Sequence, residues 1–167
     1  MTDILPFLKS IISISGVSGY ETPVAALIEE KWRPLVDEVT TSRVGSLHGL
    51  KKGSGKGAAL SKSKGNRPAI MIATHMDAIG MMVTKVADGF LHITKVGGID
   101  VRVLPGTPVT VHANSGEELP GVIVMPSAKL LPESVNNSDV LDIAYLLVDT
   151  GLTPREVEKK VRVGGLV

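Results

Sequence analysis

The 167-residue chain is predicted to be an α/β protein in two parts. Apolar residues at helical spacing occur near the amino terminus, and a continuous apolar run ends at residue 73. From residue 80 onward, short alternating segments are separated by glycine and proline, as in a β-rich fold. These observations predict an α/β part followed by a small β-barrel.

Two helices and a hairpin are predicted before the apolar run. Residues 3–15 have the spacing of an amphipathic helix, and a second helical face runs up to Pro34. Between them, Ser18 and Glu21 have the spacing of a capping box for the second helix. The alternating residues after Pro34 predict two strands with a turn or bulge at Gly45.

The apolar run at residues 68–73 predicts a strand buried on both faces of a mixed sheet. His75 and Asp77 follow at its carboxyl end. Ligand sites of open α/β sheets gather at the carboxyl ends of strands, so this pair is the first candidate for a site.

The second part is predicted to hold several short strands and one helix. Residues 80–96 form a hairpin with its turn at Asp88-Gly89, and residues 97–125 and 140–151 add further strands. Thr153 and Glu156 have capping-box spacing around Pro154, which predicts a short helix there.

Composition excludes several classes of function. There is no cysteine, which removes disulfides and thiolate chemistry. The amino terminus is unlike a signal peptide and no apolar run is long enough to cross a bilayer, so we expect a cytoplasmic protein without membrane partners. The net charge of +1 argues neither for nor against nucleic-acid binding.

A lysine-rich stretch is the one local charge bias. Residues 49–76 hold six Lys or Arg and no acidic residue, which is typical of a solvated hairpin. Its "GSGKG" lacks the first glycine of a phosphate-binding loop and the Ser or Thr after the lysine. Without interleaved aromatic residues it does not favour nucleic-acid binding, and we predict no nucleic-acid partner.

The His75-x-Asp77 spacing suits a metal site. Residues two apart on a strand point the same way, so both side chains can act on one site. Neutral imidazole is a good ligand for Zn²⁺ or Co²⁺, and a carboxylate on its other ring nitrogen fixes the tautomer. Taken alone the pattern is weak, because a lone His-x-Asp is usually a surface pair.

Four segments give this pair a context. In order, "ISGVSGYE", "ATHMDAIGMMV", "KVGGIDVRVLPGTPVTVHA" and "LLVDTGLTPREVEKKVRVGGLV" resemble the tetrahedral (TET) aminopeptidases, family forty-two of the metallopeptidases. This family includes glutamyl aminopeptidases and proteins labelled endoglucanase M. The resemblance implies removal of N-terminal residues from peptides by a water that two divalent ions, Zn or Co, activate. It implies His75 as a metal ligand and Asp77 as its orienting carboxylate, a catalytic role.

The resemblance also implies an architecture. Residues 1–78 correspond to the N-terminal part of a zinc-peptidase-like α/β/α catalytic domain. Residues 79–161 correspond to an inserted PDZ-like β-barrel that mediates dimers, and residues 162–167 to the return to the catalytic domain. We therefore expect a homo-oligomer formed through the β-domain, with peptides as substrates.

Several departures predict that this chain is catalytically incomplete on its own. Ala78 stands where the family commonly has Glu, and Ser42 and Ser46 stand at positions of a common Asp-x-x-Gly-Asn. The remaining ligands and the general base of the family come after the inserted domain. His48, His92 and His112 lie in strand-like segments and Asp100 and Glu133 in loops, and we expect none of them to be a ligand.

Two interpretations therefore remain open. The chain is a truncated or split aminopeptidase, or it is a non-enzymatic assembly or binding module on the same scaffold. Exposed apolar surface on the α/β part would favour association in either case.

Overall fold

The computed structural model describes residues 3–53, 69–132 and 142–167. The chain divides into two compact units, residues 1–77 and 78–167. The domain bounds inferred from the resemblance stay a prediction. Within the described ranges, every helix is too short or too polar to cross a lipid bilayer.

The first unit holds two helices and a hairpin, as predicted. Helix α1 spans Leu5–Ile12 and helix α2 spans Thr22–Trp32. Strands β1, Glu38–Thr41, and β2, Leu47–Leu50, pair antiparallel around a turn in which Gly45 has a φ of 85°. Trp32 packs over Gly49 of β2, where a Cβ would lie 2.9 Å from the indole ring.

Little of the first unit is buried. Among its described residues, the buried apolar side chains are Val17 and Val24. Helix α1 has an amphipathic sequence but buries none of its residues. The predicted apolar face of this helix is therefore present and exposed to solvent.

The predicted strand at residues 68–73 is wrong. Its described part, from residue 69, forms neither helix nor strand, and Ile70, Met71 and Ile72 are 94%, 87% and 90% exposed. An apolar run records a preference for burial, but a strand also requires neighbouring strands to pair with. The lysine-rich prediction falls mostly on residues 54–68, which lie outside the described ranges.

The second unit is a five-stranded antiparallel sheet in the order β3-β4-β7-β6-β5. Its strands are β3 Gly80–Ala87, β4 Phe90–Val96, β5 Pro108–His112, β6 Glu118–Val124 and β7 Leu147–Asp149. The hairpin turn at Asp88-Gly89 is confirmed, with φ angles of 52° and 86° that suit a type I′ turn. Thr84 is an extra residue in β3, because Val83 pairs with Ile93 while Lys85 pairs with His92.

Residues 164–167 connect the two edge strands of this sheet. Met81 of β3 exchanges two backbone hydrogen bonds of 2.9 Å with Val167, and the Val83 amide donates to Gly165 at 2.8 Å. On the other edge, the His112 amide of β5 donates to the Leu166 carbonyl at 3.0 Å. The sheet is thereby closed on itself by its own carboxyl-terminal segment.

The core of the second unit is aliphatic, as the composition predicts. Its fully buried side chains are Val83, Leu91, Val111, Ile123, Leu146, Val148 and Val157. Val157 comes from helix α3, Pro154–Lys160, which begins at the predicted capping box of Thr153 and Glu156. The Glu156 carboxylate accepts from the Thr153 amide at 2.9 Å and from its hydroxyl at 2.6 Å.

Candidate functional site

His75 and Asp77 lie together on the irregular segment that follows the exposed apolar residues. The Nδ1 atom of His75 lies 3.1 Å from Oδ1 of Asp77 and 3.1 Å from its backbone oxygen. The imidazole is 84% exposed and the carboxylate side chain 38%. The pair predicted from the sequence is therefore in direct contact, although the segment is not a strand.

Ser18 is a third member of this cluster. Its hydroxyl donates to Oδ2 of Asp77 at 2.5 Å, across 59 positions of sequence. This hydrogen bond and, less strongly, that from His75 lower the pKa of Asp77 below its ordinary value. Asp77 is thus ionised at neutral pH, with one donor on each oxygen.

A tight turn holds Ser18 in place. The Tyr20 amide donates to the Val17 carbonyl at 2.7 Å, and Gly19 between them has a φ of 89°, as a type II turn requires. The predicted capping box of Ser18 and Glu21 is wrong. Glu21 itself is the N-cap of α2 and accepts from the Gly19 amide at 2.7 Å, which leaves the Ser18 hydroxyl to Asp77.

The arrangement fixes the tautomer of His75. An ionised carboxylate only accepts hydrogen bonds, so the proton of the neutral imidazole lies on Nδ1, between the ring and its two acceptors. The Nε2 atom then carries a free lone pair. This is the state in which imidazole binds a metal ion, with a carboxylate holding the opposite nitrogen.

The described residues do not complete a metal centre. In ranges 3–53, 69–132 and 142–167, no three His, Cys, Asp or Glu side chains lie close enough to hold an ion. A catalytic zinc ion generally has three protein ligands. His75 and Asp77 therefore fit as one ligand and its support, and not as a whole site.

The other residues weighed as ligands have local partners or lie on strands. His48, His92 and His112 belong to β2, β4 and β5. Asp100 is paired with Arg102 at 2.6 Å. Glu133 lies outside the described ranges.

Ser42 and Ser46 bond to each other in the β1–β2 turn. The Ser46 amide donates to the Ser42 hydroxyl at 3.0 Å. The Ser42 amide donates in turn to the Ser46 carbonyl at 2.9 Å, so the Ser42 hydroxyl and the backbone of Ser46 take part in a local turn contact.

Comparison with known proteins gives consistent results. The family model described as M42 glutamyl aminopeptidase matches residues 55–167. A lysyl aminopeptidase of Pyrococcus furiosus is 30% identical over 89% of this chain. A TET aminopeptidase of a marine sediment Thaumarchaeota archaeon superimposes with a TM-score of 0.80 at 28% identity, covering 97% of this chain. A TET1 peptidase of Pyrococcus horikoshii, described as assembling into a tetrahedron or a large octahedral shell, has a TM-score of 0.73 at 27% identity over 98% of this chain.

The match covers only part of these relatives. The chain spans 40% of the lysyl aminopeptidase, 43% of the Thaumarchaeota structure and 46% of the Pyrococcus horikoshii structure. The likeness nevertheless runs through nearly all of the present chain and is backed by the family model. The fold is a mixed α/β fragment similar to those enzymes, and the chain belongs to the M42 glutamyl aminopeptidase family.

Proposed function

We propose that this chain carries the first metal ligand of an aminopeptidase that removes N-terminal residues from peptides. The M42 family is one of metal-dependent peptidases. The observation that carries the proposal is the contact between His75 and Asp77, which leaves Nε2 of His75 free to bind a cation. A cytoplasmic location remains a prediction from the sequence.

The contacts of the two side chains support the following roles. His75 binds one of two divalent ions, Zn or Co, and Asp77 orients the ring and stabilises its Nδ1–H tautomer. When bound, such ions act as Lewis acids and lower the pKa of a coordinated water. The described part of the chain contributes one ligand, so we propose that it is catalytically incomplete alone.

Metal binding by His75 is tested by calorimetric titration with Zn²⁺ and with Co²⁺. Because the described part of the chain supplies one ligand, we expect the unmodified chain to bind weakly. His75→Ala should lose that binding, and Asp77→Asn should bind about 10- to 100-fold more weakly, the usual effect of removing a carboxylate behind a ligand. His48→Ala removes an exposed histidine elsewhere and should bind like the parent. Equal binding by parent and His75→Ala, or no binding by the parent, would overturn the ligand role.

The alternative function is that of an assembly or binding module on the same scaffold. Three consecutive exposed apolar side chains, Ile70, Met71 and Ile72, favour it, because such surface suits the binding of a different partner protein. Release of amino acids from aminoacyl substrates, abolished by His75→Ala, would decide for the enzyme. Metal binding without hydrolysis is the result expected of an incomplete enzyme, whereas no metal binding by the parent would favour the module.

We also propose that the chain forms a homo-oligomer through its second unit, for which a PDZ-like barrel is the expected fold. Support comes from the similarity to a TET1 peptidase described as a tetrahedral or octahedral assembly. The second unit exposes Val103 at 67% and Leu130 at 78%, which suits a contact surface.

A further inference from the structure

The Ser18 hydroxyl completes the support of the Asp77 carboxylate. Oδ2 of Asp77 receives the Ser18 hydroxyl at 2.5 Å, and Oδ1 faces Nδ1 of His75 at 3.1 Å. A carboxylate bound at one oxygen only can rotate about its terminal torsion, which has a broad energy profile. With a donor at each oxygen, that rotation costs a hydrogen bond.

The turn that carries Ser18 is better anchored than the segment that carries Asp77. Val17, which precedes Ser18, is 5% exposed, and the turn is closed by the Tyr20 amide on the Val17 carbonyl. The other segment contains Ile70–Ile72 in exposed, irregular backbone. The Ser18–Asp77 hydrogen bond thus fixes a half-buried side chain on an irregular segment to an ordered turn.

We propose that Ser18 is a positioning residue for His75, acting through Asp77. By holding the carboxylate against Nδ1, Ser18 keeps the imidazole in the Nδ1–H tautomer and presents the Nε2 lone pair to a cation. This inference rests on the proposed role of His75 as a metal ligand. The Asp77 backbone oxygen also accepts from Nδ1, at 3.1 Å, so loss of Ser18 shifts the tautomer without abolishing it.

The test is the tautomer of His75, read from its ring nitrogen shifts by NMR without metal, at a pH well above the ordinary histidine pKa of about 6.5. We expect mostly Nδ1–H in the parent and at least a twofold lower ratio of Nδ1–H to Nε2–H in Ser18→Ala. Ser18→Cys, whose thiol is close in size to the hydroxyl but is a weak donor, should lower this ratio as well. Ser18→Thr, which keeps the hydroxyl, should restore the parent ratio.

Ser13→Ala is the matched control. Its hydroxyl donates to the Lys9 carbonyl at 2.8 Å at the end of α1, so its removal should leave the His75 ring unchanged. The signal of His48, which lies in the same unit as Ser18, reports whether that unit is folded in each variant. If Ser18→Ala does not fold, Ser18→Cys replaces it. A parent ratio in both Ser18→Ala and Ser18→Cys would overturn the inference.

Zinc affinity separates this inference from the proposed function. If both hold, Ser18→Ala binds Zn²⁺ about tenfold more weakly than the parent, the low end of the range for residues behind a ligand. If the parent binds no Zn²⁺ but the tautomer still shifts in Ser18→Ala, the function fails while the positioning contact stands. Unchanged tautomer and unchanged affinity in a folded Ser18→Ala would refute the positioning role alone.

Discussion

Gly16 is the residue that lets the turn around Ser18 pack closely. A Cβ at this position would lie 2.5 Å from Cγ2 of Val24 and 3.7 Å from the Met76 carbonyl oxygen. Val24 is 3% exposed and, being β-branched, has little freedom at χ1 to move away. The position of the Ser18 hydroxyl therefore depends on the absence of a side chain at Gly16, two positions earlier.

Gly16→Ala should destabilise the chain by about 1–3 kcal/mol, because an added methyl group overpacks a filled contact. It should also lower the Nδ1–H share of His75, since the turn must shift. Urea denaturation and the ring nitrogen shifts measure the two effects. Gly53→Ala, where a Cβ would meet nothing within 4 Å, is the control. Equal unfolding midpoints for Gly16→Ala and Gly53→Ala would contradict the packing argument.

At this scale the sequence predicts His75 and Asp77 but misses Ser18. The first two are only two positions apart in the sequence, so spacing and resemblance find them. Ser18 is 59 residues from its partner, and its spacing to Glu21 indicated a capping box instead. Local spacing rules do not detect a hydrogen bond across that distance. The signal for Ser18 is its place in the segment "ISGVSGYE", which resembles the family.

Elements that carry their own stabilising contacts are the ones predicted well. The β3–β4 hairpin follows from an Asp-Gly turn between alternating residues, and helix α3 from a capping box that closes locally. The prediction of a strand at residues 68–73 fails because the stability of such a strand would come from neighbouring strands. Apolar periodicity carries no information about whether such neighbours are present.

The turn after β4 contains a local ion pair that titration can test. Asp100 caps the 3₁₀ turn Val101–Val103 and accepts from the Arg102 amide at 3.1 Å and from Nη2 at 2.6 Å. These contacts lower the pKa of Asp100 to about 2. Because the pKa is lowered on folding, the stabilisation is complete above the ordinary value of about 3.9 and is lost as the pH falls toward 2.

Arg102→Met should raise the pKa of Asp100 part of the way to its ordinary value, since the charge and the side-chain donors are lost while the backbone donor remains. NMR titration of the Asp100 carboxyl carbon measures this. Arg155→Met, which removes an exposed arginine on α3, should leave the midpoint near 2. The interpretation fails if Arg102→Met and the parent titrate alike. The effect on stability should be small, because both side chains are exposed.

On the scale of the whole molecule, apolar side chains are exposed on both units. Ile70 and Ile72 belong to the first, Val103 and Leu130 to the second. The composition predicted an aliphatic core, and the second unit has one. The exposure on the first unit agrees with the apolar surface expected on the α/β part, whereas the exposure of Val103 and Leu130 was not predictable, because it depends on contacts formed between distant parts of a fold.

Sedimentation of the chain should reveal an oligomer. If the second unit forms the contact, Val103→Lys with Leu130→Lys should lower the mass to that of a monomer, because a desolvated lysine disfavours an apolar interface. Ile70→Lys with Ile72→Lys is the matched variant on the first unit and should keep the parent mass. A monomeric parent would contradict association. Dissociation by Ile70→Lys with Ile72→Lys alone would contradict the assignment of the contact to the second unit.

The hydrogen bonds of residues 164–167 restrict how the second unit can associate. An unpaired edge strand of a sheet can pair with a strand of another chain, and repeated pairing of this kind produces open-ended aggregates. Here β3 and β5, the two outer strands, are both already bonded to the same carboxyl-terminal residues. If copies of this unit associate as proposed, we therefore expect them to meet through the side chains of faces and loops, and not by strand pairing at Met81, Val83 or His112, whose amides are already bonded.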